Sequence, residues 1–66
     1  MNGTISRLLA DKGFGFITGD DGQEYFMHRS AVGDGSIFEQ LREGQPVTFD
    51  GTRGDKALRA ENVRVS

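Results

Sequence analysis

Cysteine is absent from these 66 residues, which excludes both a disulfide framework and a thiolate metal site. Histidine occurs once, at His28, and no carboxylate stands at metal-ligand spacing from it, so no metal site is expected. No run approaches the length needed to cross a bilayer, and Met1-Asn2-Gly3-Thr4 is neither basic nor apolar. No membrane partner is expected, and the cytoplasm is the simplest location. No glycine-rich loop leads into a helix as a phosphate cradle requires, so nucleotide hydrolysis is not indicated. A nucleophilic site would need Ser30 or another hydroxyl oriented by His28, and the neighbours of His28 in a strand face away from it, so none is expected. Asp20-Asp21 reads as turn chemistry rather than a catalytic carboxylate pair. These absences predict no enzyme activity, no cofactor and no small-molecule substrate.

Proline is scarce as well, one residue against ten glycines, with 35% hydrophobic residues. That balance suits a twisted, turn-rich β protein rather than a disordered chain. The length suits a single domain over residues 1–66, a monomer with a thin stability margin. The net charge of −2, from eight basic and ten acidic residues, argues in bulk against a polyanion partner. A basic stripe needs only local placement, however, so position matters more than the sum.

What the chain does have is two aromatic runs, Lys12-Gly13-Phe14-Gly15-Phe16-Ile17 and Tyr25-Phe26-Met27-His28-Arg29-Ser30. In strands, alternation puts Phe14, Phe16, Phe26 and His28 on one face and leaves Ile17, Tyr25 and Met27 for the core on the other. The intervening Gly19-Asp20-Asp21-Gly22 is a hairpin turn, because Asp-Gly suits the twist of paired strands. Four rings are then expected side by side on a face that has no need to bury them. Reading the phenylalanines as core instead would expose Ile17, Tyr25 and Met27 and bury His28. Gly13 and Gly15, flanking Phe14, would let a ligand approach the backbone closely.

The remaining strands are expected over residues 3–9, 47–49 and 56–65. Parity in the first is ambiguous, because both faces carry an apolar residue. Residues 10–13 form the turn into the aromatic strand, and residues 50–55 read as a loop. The last strand alternates only in its second half, ending on Val63 and Val65, which predicts a bulge near Ala60. Ser36-Ile37-Phe38-Glu39 has capping-box spacing, so a helical turn is expected to about Leu41, ending at Gly44 before Pro46. Five short strands with a longer third connection predict an all-β chain, a small five-stranded antiparallel Greek-key barrel (OB-fold) that closes its own edges.

Surface rings suit a single-stranded nucleic acid, since every base has a face to stack and cations between the rings hold the phosphates. Arg7, Lys12 and Arg29 around the hairpin, with Lys56 and Arg59 from the last strand, are the candidate cations. They account for most of the basic residues, leaving an acidic far side. Phe38 is a further candidate ring, with the alternative that it pins the helical turn to the barrel. Lys12-Gly13-Phe14-Gly15-Phe16 matches the opening of an RNA-recognition-module motif, but that module needs two helices for which this chain has no room.

The order of runs resembles the bacterial cold-shock protein family across essentially all 66 residues. Carrying the likeness are residues 12–17, then Phe26-Met27-His28 with Ser30-Ala31, Leu41 with Glu43-Gly44-Gln45 and Val47, and Ala60-Glu61-Asn62-Val63. The resemblance implies a five-stranded barrel that binds single-stranded RNA and single-stranded DNA with little sequence preference and acts as an RNA chaperone. The family usually has tryptophan then phenylalanine where this chain has Arg7 and Leu8, and an aromatic where it has Arg29. Charge thus partly replaces stacking, and binding is expected to depend more steeply on salt. A different class of function, an interaction module docking a protein on the aromatic patch, also fits an exposed apolar face.

Overall fold

The structure, a computed structural model, describes residues 1–32, 38, 41–54 and 57–65. Its elements in order are β1 (Asn2–Leu9), a 3₁₀ turn at Ala10–Lys12, β2 (Phe14–Gly19), β3 (Glu24–His28), a second 3₁₀ turn at Arg29–Ala31, β4 (Pro46–Arg53) and β5 (Leu58–Val65). The strands close into a barrel in the order β1-β2-β3-β5-β4, the all-β five-stranded architecture expected. The β3–β5 seam is parallel and the other pairings are antiparallel. The capping box of Ser36 and Glu39 lies outside the described residues. The Leu41 N–H does donate to the Phe38 carbonyl at 3.1 Å.

The hairpin of β2 and β3 has the register alternation demanded, with Phe14 opposite His28, Phe16 opposite Phe26 and Ile17 opposite Tyr25. Ile17, Tyr25 and Met27 enter the core, where they meet Ile5, Val47, Phe49, Ala60 and Val63. The ambiguity of β1 is resolved by a bulge. Ile5 opposes Ile17 but Arg7 opposes Phe16, so β1 spends an extra residue and its phase inverts. Ile5 before the bulge and Leu8 after it can therefore both face inward, while Arg7 and Leu9 face out.

A second bulge lies in β5, two residues beyond Ala60. Thr48 pairs with Arg64 and Asp50 with Glu61, so Asn62 and Val63 together oppose Phe49. Asn62 takes the left-handed conformation there, φ 53°, which asparagine tolerates better than most residues. The inserted residue explains why Ala60 and Val63, three apart, are both buried. Val65, on which the strand ends, is 41% exposed. Residues 50–53, expected as loop, continue β4 and pair with residues 58–61. Gly51 sits there because a Cβ would come within 2.8 Å of the Tyr25 ring.

Among the described residues that ring is the core's one polar commitment. Tyr25 is 4% exposed, packs on Phe49 with centroids 4.9 Å apart, and donates its hydroxyl to Asp21 Oδ2 at 2.7 Å. This bond, with the Gln23 N–H, holds the Asp21 carboxyl below its usual 3.8. The same bond, aided by burial, raises the Tyr25 phenol above 10.0. Asp21's contribution to stability is therefore present above its usual value and lost as pH falls through the lowered one. Tyr25's is present below 10.0 and lost as pH rises through the raised value. Thermal melts across acid pH should show stability declining below about pH 4, and Asp21→Asn should flatten that limb; an unchanged acid profile in the variant would contradict the linkage.

Candidate nucleic-acid interface

In an antiparallel or parallel pair, residues in register share a face, so the ladders give the outer surface row by row. Leu9, Phe14 and His28 form one row across β1, β2 and β3. Arg7, Phe16, Phe26 and Arg59 form the next, across β1, β2, β3 and β5. Thr4, Thr18 and Glu24 form a third. The barrel thus brings Arg7 and Arg59, fifty-two positions apart (59 − 7), to the two ends of a pair of rings.

Four rings side by side were expected, and the arrangement is more specific. Phe14, Phe16 and Phe26 make a triangle of centroid distances 5.6, 5.9 and 6.1 Å. Phe14 and Phe26 tilt only 30° from one another, whereas Phe16 stands edge-on to both, at 88° and 74°. Edge-to-face contact is a favoured aromatic geometry, so Phe16 braces a pair of nearly co-oriented rings. All three are half-buried by this mutual packing, and His28 is exposed.

Lys12 and Arg29 lie at the His28 end, each exposed on a 3₁₀ turn. The turns are tied together: the Arg29 N–H donates to the Gly13 carbonyl at 2.9 Å. Gly13 caps the first turn in the left-handed region, φ 79°, and a Cβ on it would come within 3.0 Å of the Arg29 side chain. Gly15, by contrast, faces inward. Its hydrogen points at the Arg7 carbonyl, Leu8 and Met27, so its smallness serves the barrel and not an approaching ligand.

Phe38 is 5% exposed within the core cluster. It is therefore not on the ring face, and its placement matches the alternative in which it pins the chain to the barrel. Lys56 lies outside the described residues. Two acidic residues also stand near this face, Glu24 in the third row and Asp11 beside Lys12. Leu9 is the face residue that alternation missed, since only the β1 bulge, invisible in the sequence, turns it outward.

His28 and Ser30 meet where β3 ends at His28 and the chain coils back. The Ser30 Oγ lies 2.9 Å from His28 Nδ1, and the Ser30 N–H donates to the same nitrogen at 3.2 Å. The imidazole thereby caps the 3₁₀ turn, a structural role that fixes the ring and places the neutral ring's proton on Nε2. Among the described residues no helix is long and apolar enough to cross a membrane.

Comparison with known proteins agrees with this surface. The family described as the 'Cold-shock' DNA-binding domain matches residues 1–66. Cold shock protein 2 of Lactiplantibacillus plantarum is 53% identical over 64 residues, 96% of this chain and 94% of its own. Cold shock protein CapB of Pseudomonas syringae pv. tomato is 47% identical over 66 residues, 98% and 93% of the two chains. Cold shock protein CspC of Bacillus subtilis is 44% identical over 63 residues, 94% and 92%. With a closed five-stranded barrel, a ring face flanked by arginines and a match along its whole length, the chain belongs to the cold-shock domain family, whose members bind nucleic acid and are not enzymes.

Proposed function

We propose that this protein binds single-stranded RNA and single-stranded DNA with low sequence preference, as a cytoplasmic monomer, and acts as an RNA chaperone. The observation that carries the reading is the row Arg7, Phe16, Phe26, Arg59, in which rings and guanidinium groups share one face. Bases stack on Phe14 and Phe26, braced by Phe16, and on the His28 imidazole. Arg7, Lys12, Arg29 and Arg59 hold the phosphates, and arginine can also lie flat on a base. Lys56 is a further cation of this set from its place in the sequence. A paired strand hides the base faces, so the protein takes only bases that have already opened. Unpairing costs fall on the nucleic acid, and the bound protein prevents re-pairing. Stacking and phosphate contacts are common to both nucleic acids, since only a 2′-hydroxyl contact separates them.

A salt titration of oligothymidine binding tests this. On single strands the logarithm of affinity falls against the logarithm of salt by about 0.7 per phosphate contact. Four engaged cations give a slope near −3 by that rule, and the double variant Arg7→Ala/Arg59→Ala should reduce its magnitude by about 1.4. A flat slope would overturn the ionic part of the proposal.

A further inference from the structure

The parallel seam between β3 and β5 runs through Phe26 opposite Arg59 and Met27 opposite Ala60, then parts. It resumes at the bridge between Val32 and Val63. Between those points one side spends residues 28–31, coiled in the 3₁₀ turn, and the other only residues 61–62. Unequal lengths force the strands apart. Asn62, left-handed at φ 53°, holds the β5 side through its amide, which donates to Asp50 Oδ2 at 2.9 Å. The result is a groove of about 230 Å³ whose lining includes His28, Ser30, Arg59, Glu61 and Asn62. That is small beside a drug-sized pocket of roughly 300–1,000 Å³, and of a size for one base.

Its position gives the groove a role. The register of the seam puts Glu61 on the same face as His28, and both line the groove, at the end of the row of Leu9, Phe14 and His28. Glu61 also follows Arg59 by two, the spacing that keeps residues of a strand on one face. An acidic side chain there is a poor neighbour for phosphate. A carboxylate is, however, an acceptor with two oxygens side by side, and a base presents its edge where its face stacks on a ring.

The geometry points to this groove as a base-edge subsite selective for guanine, with Glu61 accepting from N1–H and the N2 amino group of a base stacked at His28. The inference rests on the single-strand reading above. Guanine alone among the common bases offers two adjacent donors on its Watson–Crick edge. Adenine and cytosine set one donor beside a ring-nitrogen acceptor, and thymine and uracil set one donor between two carbonyls. A carboxylate pairs with both guanine donors, as it does with the fork of an arginine, and faces a lone pair on each of the others. The Nδ1 bonds to Ser30 hold the imidazole plane, so the stacked base is presented to Glu61 in a fixed attitude.

The test titrates the full chain with short oligothymidine carrying one guanine or one inosine, placed at each position in turn. Inosine keeps N1–H and lacks only the amino group. At the position that reaches the groove, guanine should bind about tenfold more tightly than inosine, the effect of one hydrogen bond to a charged acceptor. In Glu61→Ala the ratio should fall to about one. Equal affinity for guanine and inosine strands at every position, or a preference that survives in Glu61→Ala, overturns the inference. Failure of plain oligothymidine to bind would instead overturn the single-strand reading and this subsite with it, so the two failures are told apart. Glu61 is exposed, and a melt of the variant matching the parent shows that the ratio is read on a folded barrel.

Discussion

Replacing Phe14 and Phe26 together with alanine lowers affinity for oligothymidine by at least about thirtyfold while the barrel stays folded. Each base stacked on a ring contributes roughly 1–3 kcal/mol, so two lost platforms remove on the order of 2–6 kcal/mol, and 1.4 kcal/mol is already tenfold. These two rings are the right pair to remove. They lie within 30° of one another with centroids 5.6 Å apart, whereas Phe16 stands across them as a brace. Neither belongs to the buried cluster, so the barrel keeps Ile17, Tyr25, Met27 and Phe49 in place. Circular dichroism and a thermal melt establish the fold, and fluorescence or calorimetric titration gives the affinity. Unchanged affinity on an intact fold would remove nucleic-acid stacking as the purpose of the face and favour a docked protein partner.

Gly15→Ala produces a large loss of stability from a single methyl group. The added Cβ would stand 2.7 Å from the Arg7 carbonyl and 3.2 Å from both the Leu8 and Met27 side chains. Leu8 and Met27 can turn aside, but the carbonyl is backbone, fixed by the ladder that carries the β1 bulge. Overpacking of this kind costs about 1–3 kcal/mol, and in a domain this small each kcal/mol moves the melting temperature by about 4–8 °C. A fall of roughly 10–20 °C is expected near the upper end of that range. Gly22→Ala serves as the contrast. Nothing lies within 4 Å of its Cβ, so it pays only for a side chain at φ 82°, about 1–2 kcal/mol. An unshifted melt for Gly15→Ala would mean that the bulge gives way freely.

Gly15 also shows where reading the chain alone goes astray. Its place between Phe14 and Phe16 suggested room for a ligand, yet alternation had already put it on the Ile17 face, the core face. Gly51 was misread in the same way. Among Asp50, Thr52 and Arg53 it looked like loop chemistry, but it lies in β4 because the Tyr25 ring fills the space a side chain would need. In both cases the reason for glycine is a neighbour from a distant strand, which local composition cannot reveal. The hairpin was legible because its partner strands are joined by a short turn and both faces were written in alternation. β1 and β5 were not, because one inserted residue reverses the phase of everything after it. Phe38 could be placed only by the core that receives it. Glu61 reads as one more surface charge until the groove that it lines with His28 is in place.

The seams of this barrel also set an order in time. The ring-bearing hairpin closes over residues 20–23, a contact of the kind that forms in about 1–10 μs. Closure of β1 on β4 rests on three register pairs, at Asn2, Gly3 and Thr4, and on the Met1 ammonium donating to the Phe49 carbonyl across 48 residues. Such distant contacts must repay loop entropy before they stabilise anything. β5, moreover, stands between β3 and β4 and is the last strand to be synthesised. The growing chain therefore displays its aromatic hairpin while the barrel that will hold it flat is still unfinished, and Leu58–Val65 is the segment whose arrival completes it.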